Sequence, residues 1–210
     1  SDQTWNLDPN IRYETPLYYM NFPKVQRRIT YATSFGSWVE NFPLREKELL
    51  PWIEQFDALS MREESGVRML QSRGMACEWV LDPTLLLEQT DYDKIAEKRI
   101  IDEPYVLLFS WNGAEEAVEI TKKVSDKLGC KAFYIVPPPR AMFCGIQRKL
   151  DVGPREFLSL VKYAEFIVTN SFHGTVFSTI YKKPFISAIK GEVDPRRASL
   201  MKQLGLENHL

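Results

Sequence analysis

Three cysteines, two histidines and no apolar run of membrane-spanning length are the scarcities that bound this 210-residue chain first. Cys77, Cys130 and Cys144 are odd in number and share no C-x-x-C spacing, which argues against both a disulfide framework and a zinc site and reads as reduced, structural thiols. No stretch approaches the roughly eighteen apolar residues of a membrane span, and the opening SDQTWNLDPN is unlike a secretory signal, so the expected location is cytoplasmic. A formal charge of −1, with Lys and Arg scattered among acids, removes the electrostatic case for nucleic acid. There is no heptad array, short repeat or low-complexity tract, and no acidic cluster of the kind that marks a metal-dependent mechanism. The chain also lacks an initiator Met and opens on a turn-like segment, which leads to the expectation of a fragment. What remains is a composition 44% hydrophobic and 12% aromatic, ample for packed α/β cores.

The alternation of patterns supports that class. After a loop-rich start over residues 1–27, Arg28–Ser34 reads as a strand, Leu44–Phe56 as a helix after Pro43, and Ala58–Met61 as a strand. Glu63–Arg73 reads as a helix stopped by Gly74, and Cys77–Leu81 as a strand ending at Asp82-Pro83. Residues 88–103 turn polar and charged, with a short helix near Tyr92–Lys98, and read as a linker ending at Pro104. Alternation then resumes with strand Tyr105–Ser110, helix Glu115–Leu128, strand Lys131–Val136, a triple-proline break at Pro137–Pro139, helix Pro154–Tyr163 and a final helix Pro195–Leu204 stopped by Gly205. The expected division is a first domain over 1–90, a linker over 91–104 and a second domain over 105–210, both Rossmann-like, with a cleft between them.

The most informative stretch is Ala164–Lys190. Phe166–Val168 is a buried-strand run, Thr169-Asn170-Ser171 switches to turn and cap residues, and Gly174 onward has helical spacing up to Lys182-Lys183-Pro184. Phe185–Ile189 then opens another strand. A helix N-terminus at the carboxyl edge of a parallel sheet favours an anion, phosphate above all. Asn170, Ser171, Gly174 and Thr175 are the candidate binding residues and His173 the candidate acid/base. The plainer alternative is that Asn170 or Ser171 caps the helix and His173 is a surface imidazole.

A second post-strand turn, Met61-Arg62-Glu63-Glu64-Ser65, puts Arg62 at a strand end, where a guanidinium can clamp a carboxylate or phosphate. The alternative is a salt bridge to Glu63, Glu64 or Asp82. Asp82 can orient Arg62 or contact a sugar, although Asp-Pro is also ordinary turn chemistry. Asp2, Gln3 and Trp5 lie in a polar, indole-bearing loop of a sort that binds sugars. Ser34 belongs to the hydroxyl-and-glycine turn Thr33–Ser37, and Ser110-Trp111-Asn112-Gly113 is a candidate cleft lining.

SDQTWN at 1–6, YATSFG at 31–36, SMREESG at 60–66, VLDPTLLL at 80–87 and VTNSFHGTVFSTIYKKPFI at 168–186 together resemble the polysaccharide pyruvyl transferase family. The resemblance implies an α/β fold of two Rossmann-like domains similar to the GT-B architecture. It also implies transfer of pyruvate from phosphoenolpyruvate, a donor substrate and not a cofactor, onto two hydroxyls of a sugar as a ketal. His173 and Arg62 match the family's histidine after the late strand and its arginine before a helix of the first domain. The family has a further N-terminal region before the SDQTW-like loop, so the first domain is expected to be incomplete here. The acceptor implied is a sugar or a lipid-linked oligosaccharide, which would bring peripheral association with the inner membrane. An imidazole titrating near neutrality suits either proton transfer or a cationic contact to departing phosphate. A GT-B glycosyltransferase using a nucleotide-sugar and a non-catalytic sugar- or anion-binding relative remain open alternatives.

Overall fold

The computed structural model describes residues 3–10, 16–110, 115–135, 146–148, 151–187 and 194–207. Expectations for Asp2, Trp111–Gly113, Pro137–Pro139, Cys144 and Ile189 lie outside the described residues. The chain forms two compact units, residues 1–86 with 194–207, and residues 87–193 with 208–210.

In the first unit, helix α1 (Phe42–Ile53) begins with Pro43 in its first turn, where a missing N–H costs nothing. Strand β1 (Leu59–Met61) pairs in parallel with β2 (Cys77–Trp79), and helix α2 (Glu64–Gln71) connects them. The segment read as strand Arg28–Ser34 is not regular. It runs beside β1 through two isolated bridges, Ile29 to Ala58 and Thr33 to Met61. Ala32 has φ 53°, and hydroxyls replace part of the ladder: Thr30 Oγ1 donates to the Ser60 carbonyl at 3.1 Å and accepts from the Ser60 N–H at 2.8 Å. The core is aromatic, with Trp5 stacked on Tyr19 at 5.0 Å and packed with Phe35, Phe42, Leu49 and Ile53.

The last helix, α7 (Pro195–Leu204), belongs to this first unit and not to the second, as its place in the chain suggested. Asp194 caps it, accepting from the Arg196 N–H at 3.0 Å and from Ser37 Oγ at 3.0 Å. The Ser199 hydroxyl accepts the Glu64 N–H at 3.1 Å, and the Lys202 ammonium pairs with Glu64 at 2.8 Å. The helix stops at Gly205, whose φ of 66° is open to glycine at little cost.

The second unit holds a five-stranded, all-parallel sheet. Its strands are β3 (Tyr105–Phe109), β4 (Lys131–Tyr134), β5 (Gln147–Arg148), β6 (Phe166–Thr169) and β7 (Phe185–Ser187), in the order β5-β4-β3-β6-β7. Its helices are α3 (Gln89–Asp93), α4 (Glu115–Leu128), α5 (Pro154–Tyr163) and α6 (Phe172–Ile180). Alternation in the strands sorts the two faces. Tyr105, Leu107 and Ile167 pack toward Leu158, Val161 and Tyr181, while Val106, Leu108 and Val168 pack toward Ala117 and Val118 of α4. The stretch expected to be a linker contributes Tyr92 and Ile101 to the first of these cores, and the Lys98 carbonyl accepts from Ser159 Oγ at 2.8 Å. Tyr92 and Ile101 are buried while Lys94, Ile95, Lys98 and Arg99 are exposed, so the stretch packs through part of its length.

Candidate functional site

Strand order turns at β3 and β6: β4 and β5 extend the sheet one way from β3, and β6 and β7 the other. In a doubly wound sheet this is the switch point, where diverging connections open a crevice at the strands' carboxyl ends. The Thr169-to-Thr175 turn leaves β6 at that point. The Thr169 hydroxyl donates to the Phe109 carbonyl at 2.6 Å, tying the ends of β3 and β6, and accepts the Ser171 N–H at 3.0 Å.

The helix begins two residues earlier than its spacing suggested, at Phe172, with Ser171 as N-cap. Ser171 Oγ accepts the Gly174 N–H at 3.4 Å, and the Ser171 carbonyl accepts from the Thr175 N–H at 3.1 Å and from Thr175 Oγ1 at 3.2 Å. Ser171 and Thr175 are therefore engaged in building the helix start. Gly174 is required by packing: a Cβ there would overlap the Thr169 hydroxyl and lie 2.9 Å from Phe109 Cδ1. Asn170 and His173 are half-buried, and the His173 ring meets Phe172 edge-on at 5.3 Å.

In the first unit the structure assembles Ser34, Arg62 and Asp82 with Glu63, which the sequence offered only as an alternative ion-pair partner of Arg62. Arg62 is 1% exposed; its Nε donates to Glu63 Oε1 at 3.0 Å and its Nη1 to Asp82 Oδ2 at 2.7 Å. Ser34 Oγ donates to the same Glu63 oxygen at 2.7 Å and accepts the Gly36 N–H at 3.0 Å. Asp82 Oδ1 accepts from the Thr84 N–H and hydroxyl at 3.0 and 2.6 Å. Burial opposes the Arg62 charge, but attraction to Glu63 and the hydrogen bonds to Asp82 and Glu63 outweigh it, holding the guanidinium above its ordinary range. Burial likewise opposes the Asp82 charge and is outweighed by Thr84 and Arg62, so this carboxyl sits below its usual range. At Glu63 burial wins, and the carboxyl is pushed up.

The loop carrying Gln3 and Trp5 runs along the Ser34–Gly36 turn, with the Trp5 N–H donating to the Ser34 carbonyl at 3.1 Å and the Leu7 N–H to the Phe35 carbonyl at 3.1 Å. Gln3 Oε1 accepts from Asn6 Nδ2 at 2.9 Å. Trp5 does not offer its face to a sugar. It is 1% exposed, and its indole N–H donates to the Tyr18 carbonyl at 3.0 Å, so the ring is a core residue. A strongly apolar side chain with one satisfied donor is as well suited to a core as to a sugar, and the sequence alone does not separate the two.

The site residues thus fall into two groups, Gln3, Trp5, Ser34, Arg62 and Asp82 in one unit and Asn170, Ser171, His173, Gly174 and Thr175 in the other. Among the described residues no group of His, Cys, Asp or Glu is placed to hold a metal ion, and no helix is long and apolar enough to cross a membrane.

Parallel sheets joined by helices, with a switch-point turn in the larger one, make an α/β fold of the GT-B kind. Solved structures bear this out. UDP-GlcNAc 2-epimerase from Methanocaldococcus jannaschii superposes with a TM-score of 0.53 at 18% identity, covering 87% of this chain and 64% of that one. UDP-N-acetylglucosamine 2-epimerase from Rickettsia bellii does so at 0.52 and 15%, covering 76% and 49%. The chain therefore spans about half to two thirds of the length of these proteins, and at such identities the likeness concerns the fold alone. No curated protein sequence matches the chain. The sequence model for polysaccharide pyruvyl transferase matches residues 1–189, and the chain belongs to that family.

Proposed function

We propose that the protein transfers pyruvate from phosphoenolpyruvate onto two hydroxyls of one sugar, in a polysaccharide or its lipid-linked precursor, forming a cyclic ketal. The observation that carries this reading is the family match, which runs through both the Arg62 cluster and the His173 turn. The reaction balances without a cofactor. A proton adds to the methylene carbon of the enol, one sugar hydroxyl forms a bond to the adjacent carbon, and the C–O bond to phosphate breaks. The second hydroxyl then closes the ring. One of the two hydroxyl protons is accounted for in the new methyl group and the other on the released phosphate.

The α6 N-terminus supports an anionic donor through its backbone N–H groups and partial positive charge. His173, in the first turn of that helix, is assigned proton transfer to the enol carbon or to the departing phosphate. Arg62 is assigned the positive centre at the end of β1, oriented by Asp82. A sugar acceptor attached to lipid would bring the protein to the inner membrane surface peripherally, from the cytoplasm; no nucleic acid takes part. The test is phosphate release from phosphoenolpyruvate, with ketal formation on an acceptor glycan followed by mass spectrometry, for the parent protein, His173→Ala and Arg62→Ala. Loss of both products in the variants is expected. Unchanged donor turnover in both variants, or turnover only with nucleotide-sugars, would remove the assignment.

A further inference from the structure

Glu63 is a buried ionisable group that the proposed transfer leaves without a task. It occupies the N-cap position of α2 in extended conformation, yet its side chain makes no cap hydrogen bond and turns into the ion cluster instead. It is 1% exposed. Oε1 accepts from both Ser34 Oγ and Arg62 Nε, while Oε2 is fully buried and hydrogen-bonds to nothing. The charged groups facing it are Arg62 from the same turn, Asp82 from the end of β2 beyond Arg62, and Arg196 from α7.

Two observations decide its state. Arg62 already has an ionic partner in Asp82 at 2.7 Å, so its charge is balanced without an ionised Glu63. An ionised carboxylate also demands donors on both oxygens, and a buried oxygen with none is among the costliest arrangements in a protein. A neutral acid keeps Oε1 as the carbonyl acceptor for Ser34 and Arg62 and leaves on the unpartnered Oε2 a neutral hydroxyl, which costs less to bury than a charged oxygen. Burial acts in the same direction.

We propose that Glu63 is a neutral carboxylic acid in the folded protein, protonated on Oε2, and acts as the positioning residue of the Arg62 cluster. Its Oε1 fixes the guanidinium and the Ser34 hydroxyl, and its neutrality allows the cluster to accept an anionic ligand carrying a carboxylate or phosphate. The second half rests on the donor reading given above; the first does not.

Infrared difference spectra between the parent and Glu63→Gln at pH 7 test the protonation. A protonated-carboxyl C=O band present only in the parent is expected, and its absence would overturn the proposal. Glutamine reproduces both the acceptor and the donor of the neutral acid, so E63Q should melt within about 2 °C of the parent at pH 7. If Glu63 were instead an ionised partner of Arg62, E63Q would break a buried pair and lower the melting temperature by roughly 6–12 °C. Affinity for phosphoenolpyruvate, with inorganic phosphate as a second probe, is then followed against pH. The parent-to-E63Q affinity ratio should fall as alkaline pH ionises Glu63, and a ratio independent of pH would overturn the anion half. The spectroscopic and melting readouts use no ligand. Failure of phosphoenolpyruvate to bind either protein therefore counts against the donor reading and the anion half, and leaves the protonation to be judged on its own band.

Discussion

The two candidate regions solve the same problem, placing polar groups at the carboxyl ends of parallel strands, by opposite means. At the end of β1 the groups are ionisable and buried: Arg62, Glu63 and Asp82 are each 1% exposed, and Arg62 hydrogen-bonds to both carboxyls. At the end of β6 they are uncharged hydroxyls and backbone N–H groups, and the one titratable side chain in the turn, His173, is half-buried. A sealed ionic cluster contributes to stability chiefly by not being broken, because removing one member strands the others. A capped helix start yields in small steps and keeps its first-turn donors oriented toward whatever arrives. The first region should therefore respond to substitution mainly in folding, and the second mainly in chemistry.

The largest expected effect is Arg62→Ala. It leaves the Asp82 carboxylate buried without its guanidinium and should cost about 3–5 kcal/mol in urea unfolding. A loss under about 1 kcal/mol would show that the cluster is hydrated and erase the contrast. In the second region Gly174→Ala brings a methyl into the Thr169 hydroxyl and Phe109, partly offset by better helix propensity. A net loss of about 1–2 kcal/mol is expected from the same measurement. Ser171→Ala removes a long cap bond and should cost about 0.5–1 kcal/mol; a larger value would mean that the Thr169–Phe109 tie depends on it.

The smallest effect is one of pH. The depressed Asp82 carboxyl contributes stability that is present above its unfolded value of ~3.9 and is lost as pH falls through its lower folded value. Glu63 acts in the opposite sense: with its folded value raised, its contribution is complete below ~4.3 and is lost as pH rises through the folded value. Thermal melts against pH should therefore show Asp82→Asn flattening the limb below the unfolded aspartate value and Glu63→Gln the limb above the unfolded glutamate value. Interchange of these two effects would reverse the charge states assigned to the pair.

Much of the second unit was legible in sequence. Helices Glu115–Leu128 and Pro154–Tyr163 have the bounds their spacing predicts, and β6 ends at Thr169 where the turn residues begin. Local pattern suffices there because strand, cap and helix periodicity all act within a few residues. The first unit was less legible because its determinants are not local. Hydroxyl-to-backbone bonds replace the expected strand over Arg28–Ser34, and α7 packs beside a helix some 135 positions earlier in the chain through Ser199 and Glu64. Trp5 and Glu63 have no periodic signature that separates a core indole from a sugar platform, or a neutral buried acid from an ordinary helix-start glutamate. The contacts of Arg62 with Glu63 and Asp82 were open in sequence as an alternative, but their burial was not.

The turn after β6 is proposed to carry out chemistry on an anionic enol donor. The most direct measurement is release of phosphate from phosphoenolpyruvate, in the presence of an acceptor glycan, by His173→Ala and the parent at matched folded concentration. His173 is only half-buried, and its removal should leave the melting temperature within about 2 °C of the parent. Phosphate release should fall at least ~100-fold, as for loss of an acid/base group. Release at the parental rate from a normally folded His173→Ala protein would contradict that role.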